Sequence, residues 1–381
     1  MIDGAKRLQT VEEYYFSRKL REVNLLIESG KPIINLGIGS PDLQPPQKAL
    51  TAMTECLNDT KAHKYQSYQG LPELRDAIAS FYREHFQVNV SASTEVLPLM
   101  GSKEGIMHIS LAFLNEGDQV LIPNPGYPTY ASVTKLVGAS PLLYNLKEEN
   151  NWLPDIMELE KEDLSKVKLM WISYPHMPTG AHANYRFYED LVAFAKRNNI
   201  LIVNDNPYSF ILNSSPRSIL SATGAKEVCL EMNSLSKTFN MAGWRVGMVL
   251  GNNKYIKDIL KVKSNMDSGM FYGIQKGAIE ALKCSKLWYL SLNNVYEQRR
   301  ELIWKLVTKL NCQYNESSSG LFVWAKIPEY FTSEEFVEVV LKNYHIFIAP
   351  GHIFGSNGEG YVRFSLCAST DDIEEAIARV K

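Results

Sequence analysis

Cysteine is scarce in this chain: five in 381 residues, at Cys56, Cys229, Cys284, Cys312 and Cys367. The number is odd and no CxxC pair occurs, so neither a disulfide framework nor a zinc ribbon is indicated. A reducing, cytoplasmic setting is the expectation. Histidine is thin as well. Its seven residues show no HExxH or other ligand spacing, which argues against a metal hydrolase; no metal is expected. A net charge of only −2 indicates neither a nucleic-acid partner nor an anionic membrane surface. No apolar run approaches membrane-spanning length, and the stretch Met1-Ile2-Asp3-Gly4-Ala5-Lys6-Arg7 lacks the apolar core of a signal peptide. Repeats and low-complexity tracts are missing too.

What is present has the composition of a soluble globular protein, 45% hydrophobic and 22% charged, at a length that suggests two or three domains. From about residue 95, apolar runs at 96–99, 119–122, 168–173, 200–203, 228–232 and 246–250 alternate with helical segments such as 103–114 and 184–198. That alternation predicts a mostly parallel sheet covered by helices. Amphipathic helices are expected at 11–29 and within 65–85, where Leu71, Leu74, Ile78, Phe81 and Tyr82 keep helical spacing. After about 280 the pattern changes to a long helix over 285–310, short strands at 321–325, 345–348 and 361–365, and helices from Ser333 and from a Ser369…Asp372 capping box. The expected architecture is α/β: a large domain over 41–284, and a smaller α+β domain built from 1–40 and 285–381.

Several short stretches carry chemistry. In Ser234-Leu235-Ser236-Lys237-Thr238, a lysine lies among small hydroxyl residues, with Arg245 eight positions on. Nearby positive charge lowers a lysine's pKa and frees a nucleophilic amine. Ser234 and Arg245 suit the several oxygens of a phosphate. A reactive amine beside an anion site is what pyridoxal 5′-phosphate (PLP) requires. Gly101-Ser102-Lys103 opens a helix, where free N–H groups favour an anion; a plain capping role explains Ser102 equally well. Asn124-Pro125-Gly126-Tyr127 holds an aromatic beyond a strand end, where open α/β sheets bind ligands. Asp205 ends a buried strand, an unusual place for a carboxylate without a partner; a cap or a loop ion pair is the alternative. Arg363 interrupts an apolar strand and wants a carboxylate, either a substrate's or a structural one.

Taken together, from about Tyr14 to Arg363, these stretches resemble the class I/II aminotransferases, the fold-type I PLP enzymes. The resemblance implies that Lys237 joins the cofactor aldehyde and then shuttles the substrate α-proton. It implies Ser102, the Lys103 backbone, Ser234, Ser236 and Arg245 around the phosphate. Tyr127 would lie on the ring face, Asp205 at the ring nitrogen and Tyr208 at the ring hydroxyl. Arg363 would grip the substrate α-carboxylate, with the backbone of Ile38 and Gly39 close by. Tyr65 would reach the phosphate of a second subunit in a homodimer with shared sites. Met177 stands where the family usually carries an asparagine that donates to the ring hydroxyl; a thioether cannot donate. The side-chain pocket would draw on Tyr14, Tyr15, Phe16, Met270 and Phe271. The implied activity is ping-pong transfer of an amino group between an L-amino acid and a 2-oxo acid. A carbon–sulfur β-lyase on the same fold, or a PLP-binding relative without turnover, remain the alternatives. The opening phrases are similar to the branch with diaminopimelate, alanine, aromatic and methionine transaminases.

Overall fold

The computed structural model describes residues 2–381. Its central sheet has seven strands, in the order Val96–Leu99, Gly247–Gly251, Cys229–Ser234, Leu201–Asp205, Val167–Ile172, Gln119–Asn124, Ser140–Asn145. All neighbours are parallel except Gly247–Gly251, which runs antiparallel to both strands beside it. Successive side chains of a strand face opposite sides. Leu169 and Trp171 therefore pack into one core with Ile106, Ile109 and Ile259, whereas Met170 and Ile172 face the other with Phe194 and Leu191. Both faces are apolar because helices cover both. Each large aliphatic side chain so buried contributes about 1.5–3 kcal/mol.

The covering helices form for local reasons. Tyr185–Asn198 starts at Asn184, whose side chain accepts from Phe187 N at 2.8 Å, and stops where Asn199 turns left-handed at φ 54°. It buries Phe187, Tyr188, Leu191, Val192, Phe194 and Ala195 on one face. Ser102–Phe113 follows Gly101, whose φ of 90° suits glycine.

A second, four-stranded sheet pairs Phe322–Lys326 with Tyr361–Ser365 and carries Ala349–Pro350 and Gln313–Tyr314 at its edges. The N-terminal segment joins this part of the chain: Ile34–Asn35 pairs in parallel with Ile346–Phe347. Asp42 then takes a two-pronged hydrogen bond from buried Arg299 in the helix Lys286–Lys309, both contacts at 2.7 Å. The segment Leu36–Asp42 is thus pinned at both ends across the mouth of the large sheet.

Three local expectations change. Pro72 opens the helix expected within 65–85, whereas the one expected over 11–29 begins only at Tyr15. Ser369 caps the last helix by accepting from Asp372 N, but its hydroxyl donates to the Asp372 carboxylate at 2.6 Å, so the reciprocal box is absent there. The full box forms instead at Thr332 and Glu335. The strand Ser140–Asn145 was not anticipated. It is an edge strand containing Pro141, with most side chains partly exposed, so it lacks the apolar run of its neighbours.

Candidate active site

The C-terminal ends of the central strands open on a cavity of about 320 Å³. Of the residues singled out from sequence, Ile38, Gly39, Ser102, Lys103, Tyr127, Met177, Asp205, Tyr208, Ser234, Ser236, Lys237, Arg245 and Arg363 all line it. The parallel strand ends deliver Asp205 and, one turn beyond Cys229–Ser234, Lys237.

Lys237 lies in the one-turn helix Leu235–Thr238, whose cap is Ser234 Oγ accepting from Ser236 N at 3.1 Å. Its Nζ donates to Gly39 O at 2.6 Å. Burial holds its pKa below the usual lysine value; Arg363 and Arg245 push the same way, while Cys367 and Asp205 oppose. Desolvation, rather than the positive charge expected from sequence, is the larger cause.

Asp205 is 5% exposed. One carboxylate oxygen accepts from Tyr130 OH at 3.0 Å, and the other, Oδ1, has no partner. Burial raises its pKa to about 6 against the Tyr130 hydrogen bond and the Lys237 charge. Tyr130 was missed in the sequence, although its spacing of three from Tyr127 could have flagged it. Its ring lies flat on Trp171, with centroids 5.0 Å apart and planes 4° apart, which fixes the hydroxyl on the acid. Tyr127 meets Tyr130 edge-on.

An anion cradle forms opposite. Ser102 stands first in its helix with a buried hydroxyl that lacks a partner. Arg245 reaches across Gly101, where a Cβ would collide with its guanidinium. Ser234 and Ser236 complete the lining. Lys103 turns its ammonium to the ring of Tyr14, 4.9 Å from the centroid.

At the far end lies Arg363, in the strand Tyr361–Ser365 and 5% exposed. It donates to Gly37 O at 2.8 Å and to Met177 Sδ at 3.3 Å, and its Nε is unpaired. Its guanidinium carbon lies 3.9 Å from the ring centre of Phe322, 4.7 Å from Phe354 and 5.4 Å from Phe16. Burial lowers its pKa to about 10. Of these rings, Phe322 and Phe354 went unrecognised in the sequence. Gly39 is required there, since a Cβ would strike the Phe322 ring.

Four sequence-selected residues lie elsewhere. Tyr65 is 91% exposed on the surface and lines no part of the cavity. Tyr15 sends its hydroxyl to Glu334 at 3.3 Å and its ring edge to His352, facing a neighbouring cavity; Tyr14 takes the inner position. Met270 and Phe271 are also outside the lining. Glu104, His108 and Asp267 bring ligand atoms within 4.8 Å of one another, but Lys263 already pairs with Asp267 at 2.5 Å, so the group is a charge-paired cluster.

A buried lysine of lowered pKa, an acid at a strand end, an anion cradle and a buried arginine whose Nε is unpaired meet in one cavity, the grouping expected of an enzyme site for an anionic ligand. The sequence matches the family described as aminotransferase class I and II over residues 31–380, and the chain belongs to that family. It is 40% identical to an LL-diaminopimelate aminotransferase of Aquifex aeolicus, covering 100% of this chain and 99% of the relative. A second LL-diaminopimelate aminotransferase, from Maridesulfovibrio salexigens, is also 40% identical, over 99% and 98%. Among solved structures, substrate-bound BacF from Bacillus subtilis superposes with a TM-score of 0.96 at 36% identity, covering 100% and 97%. The protein is an aminotransferase, an enzyme of the PLP-dependent fold type I class.

The raised pKa of Asp205 has a consequence for stability. The folded acid binds its proton more tightly than the unfolded one between its ordinary value of 3.8 and about 6. Stability therefore falls as pH rises through that window, by on the order of 3 kcal/mol from this group. Asp205→Asn is expected to raise the melting temperature of the cofactor-free protein at neutral pH, with the gain vanishing near pH 4. Thermal melts of both proteins across that range check it; a pH-independent difference contradicts it.

Proposed function

We propose that the cavity holds PLP and that the enzyme transfers the amino group of a long, doubly charged amino acid of the diaminopimelate type. The fit of PLP rests on two unpaired groups and one desolvated amine. Ser102 Oγ, beside Arg245 and a helix N-terminus, suits the phosphate. Asp205 Oδ1 suits a protonated ring nitrogen. Lys237 Nζ, desolvated, suits the aldehyde. Tyr127 would cover the ring face, and Tyr208 would meet the ring hydroxyl. When bound, PLP supplies an electron sink for the substrate α-carbon.

The chain's own groups do the rest. Arg363 offers a buried fork to the substrate α-carboxylate, restrained by Gly37 O and the surrounding phenylalanines. Met177 Sδ accepts from that fork and, being a thioether, would donate nothing to the cofactor's ring hydroxyl. Lys237 Nζ takes the α-proton and returns it, as a positioned general base and then acid.

The single observation that carries the substrate reading is a second cavity of about 530 Å³, which shares Tyr14, Phe16, Tyr127 and Phe354 with the first. Its wall offers Arg18 and Lys135 to a distal carboxylate and Glu12 to a distal ammonium, Glu13 being held by Arg21. The full-length relatives named for LL-diaminopimelate support the same choice. Screening the PLP-loaded protein against LL-diaminopimelate, alanine, phenylalanine, methionine and aspartate tests it. LL-diaminopimelate should bleach the cofactor's visible band fastest, with parallel double-reciprocal plots when a 2-oxo acid is varied. Equal or faster response to phenylalanine overturns the substrate reading, and no response to any amino acid overturns the function.

We further place the working site in a homodimer. Tyr65 projects almost free, and Tyr68, Met266 and Phe271 are exposed large apolar residues on the same chain. Gly269 packs on the Gln66 backbone, which joins the two segments that bear them. No helix among the described residues is long and apolar enough to cross a membrane, and all five cysteines are free. If Tyr65 of a second copy completes each site, mixing Tyr65→Ala and Lys237→Ala proteins should restore activity that neither shows alone. No recovery after subunit exchange contradicts the shared site.

A further inference from the structure

One strand away from Asp205 lies a second buried acid that the chemistry above does not use. Glu231 sits in Cys229–Ser234 and is completely buried. The hydrogen bonds it accepts come from neutral groups. Its Oε2 takes Ile219 N at 2.9 Å and Asn204 Nδ2 at 3.1 Å, and its Oε1 faces Asn206 Nδ2 at 3.4 Å. Burial pushes its carboxyl up to about 7. An uncompensated interior acid is costly, and an apolar residue of similar volume would often serve stability as well or better. Its presence calls for another explanation.

The geometry supplies one. Asn204 and Asn206 are the two residues that flank Asp205. Side chains alternate across a strand, so these amides share the side of Glu231, while Asp205 projects oppositely into the cavity. Asn204 is the direct cross-strand neighbour of Glu231. The backbone at 206 is still tied to the same strand, through Asn206 N to Met232 O at 2.9 Å. The network also reaches other walls of the site. Asn204 Oδ1 accepts from Tyr174 N at 3.3 Å, between Ser173 and Met177, both of which line the cavity. Asn206 Nδ2 donates to Arg217 O at 2.9 Å. The Asn204–Asn206 segment and Ile219 therefore meet at one carboxyl group, and the two amides tie Tyr174 and Arg217 to it.

We propose that Glu231 is a positioning residue: by clamping Asn204 and Asn206 it fixes the backbone on both sides of Asp205 and aims that carboxylate at the ring nitrogen of the bound cofactor. The inference rests on the PLP reading given above. A buried polar network that is fully satisfied makes a site rigid, and loosening such support by a fraction of an ångström weakens the group it holds.

The test compares Glu231→Gln and Glu231→Leu with the wild-type protein, each reconstituted with PLP. The leucine variant should keep its far-ultraviolet circular dichroism, yet lose roughly tenfold in PLP affinity and in kcat. KM should stay within about twofold, because Arg363 is untouched. The pH midpoint of its cofactor absorbance should shift as well. The glutamine variant, which preserves shape and most hydrogen bonds, should recover most of the loss. Should the leucine variant fail to fold, Asn206→Ala carries the same expectation. A folded leucine or Asn206→Ala variant with unchanged kcat, PLP affinity and absorbance midpoint overturns the inference alone, even if its melting temperature falls. A wild-type protein that takes up no PLP overturns the cofactor reading and this inference with it.

Discussion

Among the ionisable groups that share one cavity, Lys237, Asp205 and Arg363 are buried with no ion pair among the described residues. Lys237 rests on a carbonyl, Asp205 on a tyrosine hydroxyl, and Arg363 on a carbonyl and a thioether. Holding buried charge without a counter-charge works against folding. The same arrangement is what an active site needs: groups already desolvated and aimed, so that little reorganises when a ligand supplies the missing charges. By charge and position, Asp205 suits a cation, the Ser102–Arg245 cradle an anion and Arg363 a carboxylate.

The fold absorbs that cost through rigid surroundings. Parallel strands buried on both faces bring their C-terminal ends to one rim, which is why Asp205 and the turn holding Lys237 converge. The segment Leu36–Asp42 crosses this rim, anchored by its pairing with Ile346–Phe347 and by Arg299 on Asp42. It closes the cavity with backbone rather than side chains, and Gly39 is there because Phe322 leaves no room for more. The second sheet delivers Arg363 and Phe322 from paired neighbouring strands, so the arginine and one ring that covers it move together.

Much of this was legible in the sequence, for identifiable reasons. Strands buried on both faces read as unbroken apolar runs, and six of the seven central strands announced themselves in that way. The seventh, Ser140–Asn145, is a partly exposed edge with a proline and gave no run. Polar residues embedded in apolar or glycine-rich stretches, such as Asp205, Lys237 and Arg363, stood out because burial makes them expensive. Tyr130, Phe322 and Phe354 did not stand out, since a buried aromatic at such positions looks like core until its neighbour in space is known. Tyr15 and Tyr14 differ by one step along the chain, and only the start of the helix Tyr15–Glu28 decides which faces the cavity. Tyr65, singled out only by resemblance, lies exposed on the surface and outside the cavity of this chain. The lowered pKa of Lys237 was expected correctly but attributed to nearby arginines, because desolvation belongs to the folded cavity and not to the sequence.

The covalent attachment point is the claim on which the rest turns. Borohydride reduction of the PLP-loaded protein, followed by proteolysis and mass mapping, tests it directly. The account predicts a stable pyridoxyl label on the peptide containing Lys237 and its loss in Lys237→Ala. A label on a different lysine, or no label on protein that has been saturated with PLP, would contradict it.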